Sequence, residues 1–97
     1  FSAKRGTEVI ATADGLVVSS RYNVTFGNYI EISHGNGYKT VYGHLNKRNV
    51  SRGVYVVRGQ KIGEVGNTGR STAPHLHYEI KHNRKRIDPT SFYYDGM

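Results

Sequence analysis

Two histidines flank a leucine in His75-Leu76-His77, and Glu79 follows two residues later. Successive side chains of an extended strand point to opposite faces. This spacing therefore puts His75, His77 and Glu79 on one face and Leu76, Tyr78 and Ile80 on the other. Two imidazoles at i and i+2 on a strand can reach one metal ion or one reacting centre, because the strand fixes their separation and direction. The tripeptide alone fits a solvated strand face with two incidental histidines equally well. His44, in Tyr42-Gly43-His44-Leu45, is a third imidazole at the end of an expected strand, with Tyr42 on its own face and Val41 on the opposite one. Residue types alone combine His44, His75 and His77 into a three-imidazole zinc site with an open water position. His34 and His82 stand beside Gly35 and Asn83 in turn-like settings, and both read as solvated imidazoles outside the site.

The elements that must carry these histidines read as short strands. Glycine is frequent (12), proline scarce (2), and tyrosine (8) outnumbers phenylalanine (3), with no tryptophan. Such a mix suits strands joined by tight turns and gives helix little support. Asp14-Gly15 separates Glu8–Ala13 from Leu16–Ser20 and predicts a hairpin, since glycine takes the positive φ of a two-residue turn at no steric cost. Asn36-Gly37 predicts a second hairpin between Tyr29–His34 and Tyr38–Tyr42. Glycines from Gly53 to Gly69 divide short apolar pieces such as Val54–Val57 and Lys61–Val65, a spacing typical of a compact all-β domain. Gly66 to Pro74 reads as a loop feeding a last long strand, His75 to His82, and Asn83 turns the chain into Lys85–Asp88.

With 97 residues, the chain is expected to form one domain, with one site. Cysteine is absent, which excludes disulfides and thiolate ligands and leaves any metal to imidazole or carboxylate. The formal charge is +7, from 14 Lys and Arg against 7 Asp and Glu. That field favours acidic partners such as nucleic acid, anionic membranes or wall polymers without choosing among them. Nucleic acid is set aside, because the basic run Lys81–Arg86 lies on a terminal hairpin without an aromatic stacking pattern. No apolar run reaches the length of a membrane span in this segment.

A resemblance sharpens the choice. Gly6-Thr7, Gly27-Asn28-Tyr29, His34-Gly35-Asn36-Gly37, Tyr42-Gly43-His44-Leu45, Gly59–Gly63, Gly66–Gly69 and Ser71–Glu79, in this order and spacing, resemble the LytM or lysostaphin-type zinc metalloendopeptidases over almost the whole chain. The resemblance implies an all-β fold, a compact antiparallel sheet of the duplicated-hybrid-motif kind with a substrate groove across one face. It implies hydrolysis of peptide bonds in peptidoglycan stem peptides or cross-bridges, hence peptidoglycan as partner and the bacterial envelope, periplasmic or extracellular, as location. It also replaces the three-imidazole site. His77 becomes the zinc ligand, while His75 and His44 become catalytic. Tyr42, Ser71 and Thr72 would line the substrate groove, although packing and turn chemistry explain them as well.

The same resemblance implies two further zinc ligands, an upstream His and, three intervening residues later, an Asp followed by a hydrophobic-x-Ala segment. Phe1-Ser2-Ala3 matches that segment, so the reading places the start of this chain just past the second ligand. Residues 1–97 are then expected to be a fragment, N-terminally truncated relative to the family, in which Zn2+ is absent or weakly held although the complete domain binds it. The alternative is a metal-free, catalytically inactive scaffold that binds the wall or regulates other wall hydrolases.

Overall fold

The computed structural model describes residues 4–66 and 76–87, and all regular structure in them is strand. In chain order the strands are β1 (Glu8–Ile10), β2 (Gly15–Asn23), β3 (Gly27–Gly35), β4 (Tyr38–Arg48), β5 (Tyr55–Val56), β6 (Lys61–Val65), β7 (His77–His82) and β8 (Lys85–Ile87). They form one antiparallel sheet with the order β1-β6-β4-β3-β2-β5, to which β7 adds beside β4 and β8 beside β7. The expected all-β class is what the molecule adopts.

The Asn36-Gly37 hairpin is present. Both residues have positive φ (52° and 80°), as a turn that matches the right-handed twist of its strands requires. The Asp14-Gly15 hairpin is not. β1 pairs with β6, whereas β2 pairs with β3 and β5. Gly15 is the first residue of β2, and a Cβ there would stand 2.5 Å from the Ser33 carbonyl oxygen and 2.6 Å from Ile32 Cγ2. Glycine therefore serves a close approach of two backbones rather than a turn. Asp14 ties down a different segment, its Oδ1 accepting the Arg58 N–H at 2.7 Å.

One face of the sheet buries Val9, Ala11, Val17, Ile30, Ile32, Tyr42, Leu45, Val56, Ile62 and Val65, with Leu76 and Tyr78 packed against them. Period-two alternation then sends Tyr29, Glu31 and Ser33 of β3 to the other face. Strand β4 organises both. On one side it pairs with β3; on the other it pairs with β7 from Tyr38 to Gly43 and with β6 from Leu45 to Arg48. His44 is the residue at which the neighbour changes.

Candidate active site

The branch in the sheet shapes the site. Ile30 faces Tyr42 but Asn28 faces Leu45, so β4 holds one extra residue against β3, a β-bulge at Gly43-His44. His44 adopts φ 60°, uncommon for a residue other than glycine, and its N–H donates to the Phe26 carbonyl at 2.6 Å. The bulge lets Tyr42 and Leu45 both enter the core while Gly43 and His44 both lie on the side of His77. Simple alternation, which put Tyr42 and His44 on one face, fails here because a bulge adds a residue that the period of two does not count.

The His44 ring, on a residue only 6% exposed, meets the His77 ring at 5.8 Å and 84°, edge to face. Gly43 sits directly opposite His77 across the ladder. A Cβ at Gly43 would lie 3.3 Å from His77 Cβ and 3.4 Å from Phe26 Cβ, so the missing side chain is what lets the two rings settle over the strand. Phe26 packs on His77 with ring centres 5.0 Å apart, and touches Tyr29 edge-on at 5.8 Å. The Tyr29 hydroxyl in turn accepts from Arg21 Nε at 2.9 Å, and this contact raises the guanidinium pKa, keeping Arg21 cationic.

On β7, His77 Nε2 and Glu79 Oε2 are 2.6 Å apart. Glu79 is buried, and Arg86 reaches the same oxygen at 3.5 Å. An ionised carboxylate only accepts, so Nε2 carries the hydrogen and a neutral His77 keeps its lone pair on Nδ1. A carboxylate behind an imidazole in this way fixes the tautomer and raises the basicity of the other nitrogen, which suits a metal ligand. His77 fits that role. Among the described residues no group of three or more His, Asp or Glu side chains could hold a metal ion. His75, Ser71 and Thr72 lie outside the described residues.

Tyr42, expected to line the groove, is a core residue instead, 1% exposed. Its hydroxyl lies 3.2 Å from Thr12 N, 3.0 Å from Thr12 Oγ1 and 2.9 Å from Thr40 Oγ1. The phenol is buried because these three partners satisfy its oxygen away from water. His34 and His82 are not freely solvated either. His34 Nδ1 donates to the Asp14 carbonyl at 2.7 Å, its Nε2 lies 2.7 Å from Thr40 Oγ1, and His82 stacks on Tyr38 at 4.2 Å. Turn neighbours in the sequence do not reveal such long-range partners.

The sequence pattern gives Glu79 its face but no role, and it does not mark Phe26. Glu79 could have been found from its i+2 spacing to His77. Phe26 gives no such signal, since it reaches the site through a loop closed by Asn23 Oδ1 accepting the Phe26 N–H at 2.6 Å.

With this geometry in place, likeness to known proteins becomes informative. The family model of Peptidase family M23 matches residues 1–89. The chain belongs to peptidase family M23. It is 52% identical over 80 residues to the peptidoglycan DD-endopeptidase ShyA of Vibrio cholerae, covering 82% of this chain and 19% of that protein. It superposes on a zinc-containing peptidase from Vibrio cholerae with TM-score 0.88 and 44% identity, over 91% of this chain and 27% of that one. Against the antimicrobial peptidase lysostaphin from Staphylococcus simulans the TM-score is 0.91 at 39% identity, over 98% and 42% of the two chains. The M23 assignment and the lysostaphin-type β fold thus agree with the resemblance read from Tyr42–Leu45 and Ser71–Glu79. The chain spans about a fifth of the length of the curated relatives it matches.

Proposed function

We propose that these residues form the catalytic part of a zinc-dependent endopeptidase that hydrolyses peptide bonds in bacterial peptidoglycan, in its stem peptides or cross-bridges. The observation that carries this reading is the His77 imidazole, oriented by a buried carboxylate at 2.6 Å and faced edge-on by His44 at the branch of the sheet. Membership of M23 and the likeness to a named DD-endopeptidase support the substrate class.

His77 would hold zinc through Nδ1, together with ligands outside the described residues. When bound, zinc supplies a Lewis acid that polarises the scissile carbonyl and acidifies water. Between them, His44 and His75 accept the proton of the attacking water, give one to the leaving amine and stabilise the tetrahedral oxyanion, tasks that neutral imidazole and imidazolium can divide. Burial of His44 beside Phe26 keeps bulk water from competing for those protons. Ser71 and Thr72 contact the substrate peptide. The substrate places the protein in the bacterial envelope. No helix among the described residues is long and apolar enough to cross a membrane.

Wall digestion by the full-length protein with zinc supplied, compared with His75→Ala and His77→Ala, tests the assignment. His77→Ala loses both metal and activity; His75→Ala keeps its metal while turnover collapses. Undiminished digestion by both variants sinks the site, and equal metal loss in both restores the three-imidazole model.

A further inference from the structure

Strands β3, β4, β7 and β8 present ordered rows of side chains on the face that carries His77. Direct cross-strand neighbours point to the same side. Glu31, Val41 and Glu79 therefore form one row, next to the row of Gly43 and His77, and Ser33, Lys39, Lys81 and Arg86 form the row beyond it. Three cations stand side by side across three strands, an arrangement that like-charge repulsion opposes. Two of them are compensated by the acidic row. Lys81 Nζ lies 3.7 Å from Glu31 Oε2, and Arg86 lies 3.5 Å from Glu79 Oε2. Lys39 has no ion pair among the described residues.

Past this row the two hairpin turns dock on each other. Asn83 N–H donates to the Gly37 carbonyl at 2.9 Å, and a Cβ at Gly37 would collide with Asn83 Oδ1. Together they border a half-open cavity of about 300 Å³ lined by Glu31, Gly37, Lys39, Lys81, Asn83 and Arg84. Arg84 occupies the turn at φ 70°, a conformation in which a long side chain carries a steric penalty that glycine would not. It too has no ion pair among the described residues. One carboxylate against three cations leaves the cavity positive, with Lys39 and Arg84 uncommitted. A backbone position that favours glycine is given to an arginine whose charge faces the same cavity as an uncompensated lysine.

We propose that this cavity is an anion-binding subsite of the groove, in which Lys39 and Arg84 bind a carboxylate on the substrate peptide. The inference rests on the peptidase reading above and deepens it. Lys81 is four residues beyond His77 on β7, about 13 Å at the rise of a strand. A peptide lying extended along the groove spans the same distance in about four residues. The subsite therefore selects substrates with a free carboxylate about that far from the scissile bond. Its two cations form charge-assisted hydrogen bonds with the carboxylate oxygens.

The test uses the full-length, zinc-loaded protein and two synthetic wall peptides, one with a free carboxylate four residues from the scissile bond and one with the carboxamide there. The wild type should show a KM about tenfold lower for the acid, with similar kcat, the pattern of a contact made equally in ground and transition states. Lys39→Gln should erase that preference by raising the KM of the acid alone. Arg84→Gly should also erase it while raising the melting temperature, so loss of folding cannot explain the result. Equal KM values in the wild type, or a loss in Lys39→Gln shared by both peptides, overturn the subsite. Titration calorimetry of the same pairs separates the two readings. Carboxylate-dependent, Lys39-dependent binding without cleavage of either peptide would retain the subsite and remove the peptidase reading. Equal binding of acid and amide, with Lys39-dependent binding of a phosphate-bearing wall polymer, would overturn the peptide as the source of the anion.

Discussion

His77 and Glu79 are two residues apart on β7, and their side chains meet at 2.6 Å on the face away from the core. The carboxylate is buried and the imidazole is about a third exposed. Orientation of the ring therefore comes from inside the protein, while Nδ1 is left for chemistry.

Replacing Glu79 with glutamine keeps the shape and removes the charge that supports the His77 tautomer. Zinc affinity should fall by about 10- to 100-fold, the usual cost of losing such a partner. Competition against a chelator of known affinity measures it. Unchanged affinity would mean that Glu79 serves only Arg86.

His44 has φ 60°, so glycine is the replacement that removes the imidazole with least backbone strain. His44→Gly should fold with a melting temperature near that of the wild type and lose about 10²- to 10⁴-fold in turnover, the range of a lost acid–base group. His44→Val should lose stability as well, because a β-branched residue resists positive φ. A His44→Gly variant with normal turnover would remove His44 from the mechanism.

Tyr42→Phe separates packing from substrate contact. The lost hydroxyl leaves the half-buried Thr12 N–H and the buried Thr40 hydroxyl without this partner, at a cost of about 1–3 kcal/mol. For a chain of this size that lowers the melting temperature by roughly 4–8 °C per kcal/mol. The KM should not change. A raised KM at unaltered melting temperature would return Tyr42 to the groove.

Gly43→Ala introduces a methyl 3.3 Å from His77 Cβ and 3.4 Å from Phe26 Cβ. Either ring must shift by a few tenths of an ångström. The stability cost should stay within about 1–3 kcal/mol, but turnover should fall by about tenfold or more, since catalysis is sensitive to small misplacements. Equal, small effects on both would show that the two rings tolerate displacement.

Local rules made part of this legible from residues alone. Alternation placed His77 with Glu79 and sent Leu76 and Tyr78 to the core, because β7 is regular from end to end. Asn36-Gly37 announced its hairpin because both residues need positive φ. Asp14-Gly15 has similar chemistry but misled, since a glycine that admits a neighbouring backbone looks the same in a sequence as one that turns. The position of Tyr42 is hidden by the bulge at Gly43-His44, which is set by pairing with Asn28 and Ile30 of β3 and by Phe26, thirteen or more residues earlier in the chain. The setting of His34 is hidden for the same reason. Its partners, Asp14 and Thr40, belong to other segments.

The branch in β4 also divides the site between parts of unequal permanence. His44 belongs to the strand flanked by β3, β6 and β7, whereas His77 belongs to β7, which is held by six residues of β4 and by β8, itself paired with no other strand among the described residues. Cooperative units of low stability open without global unfolding, and β7 with β8 should open as such a unit. Amides of β7 and β8 should exchange ahead of those in Tyr38–Leu45. On warming or in mild denaturant, His77 should therefore part from His44 while most of the sheet still stands, so wall digestion should fail below the melting temperature.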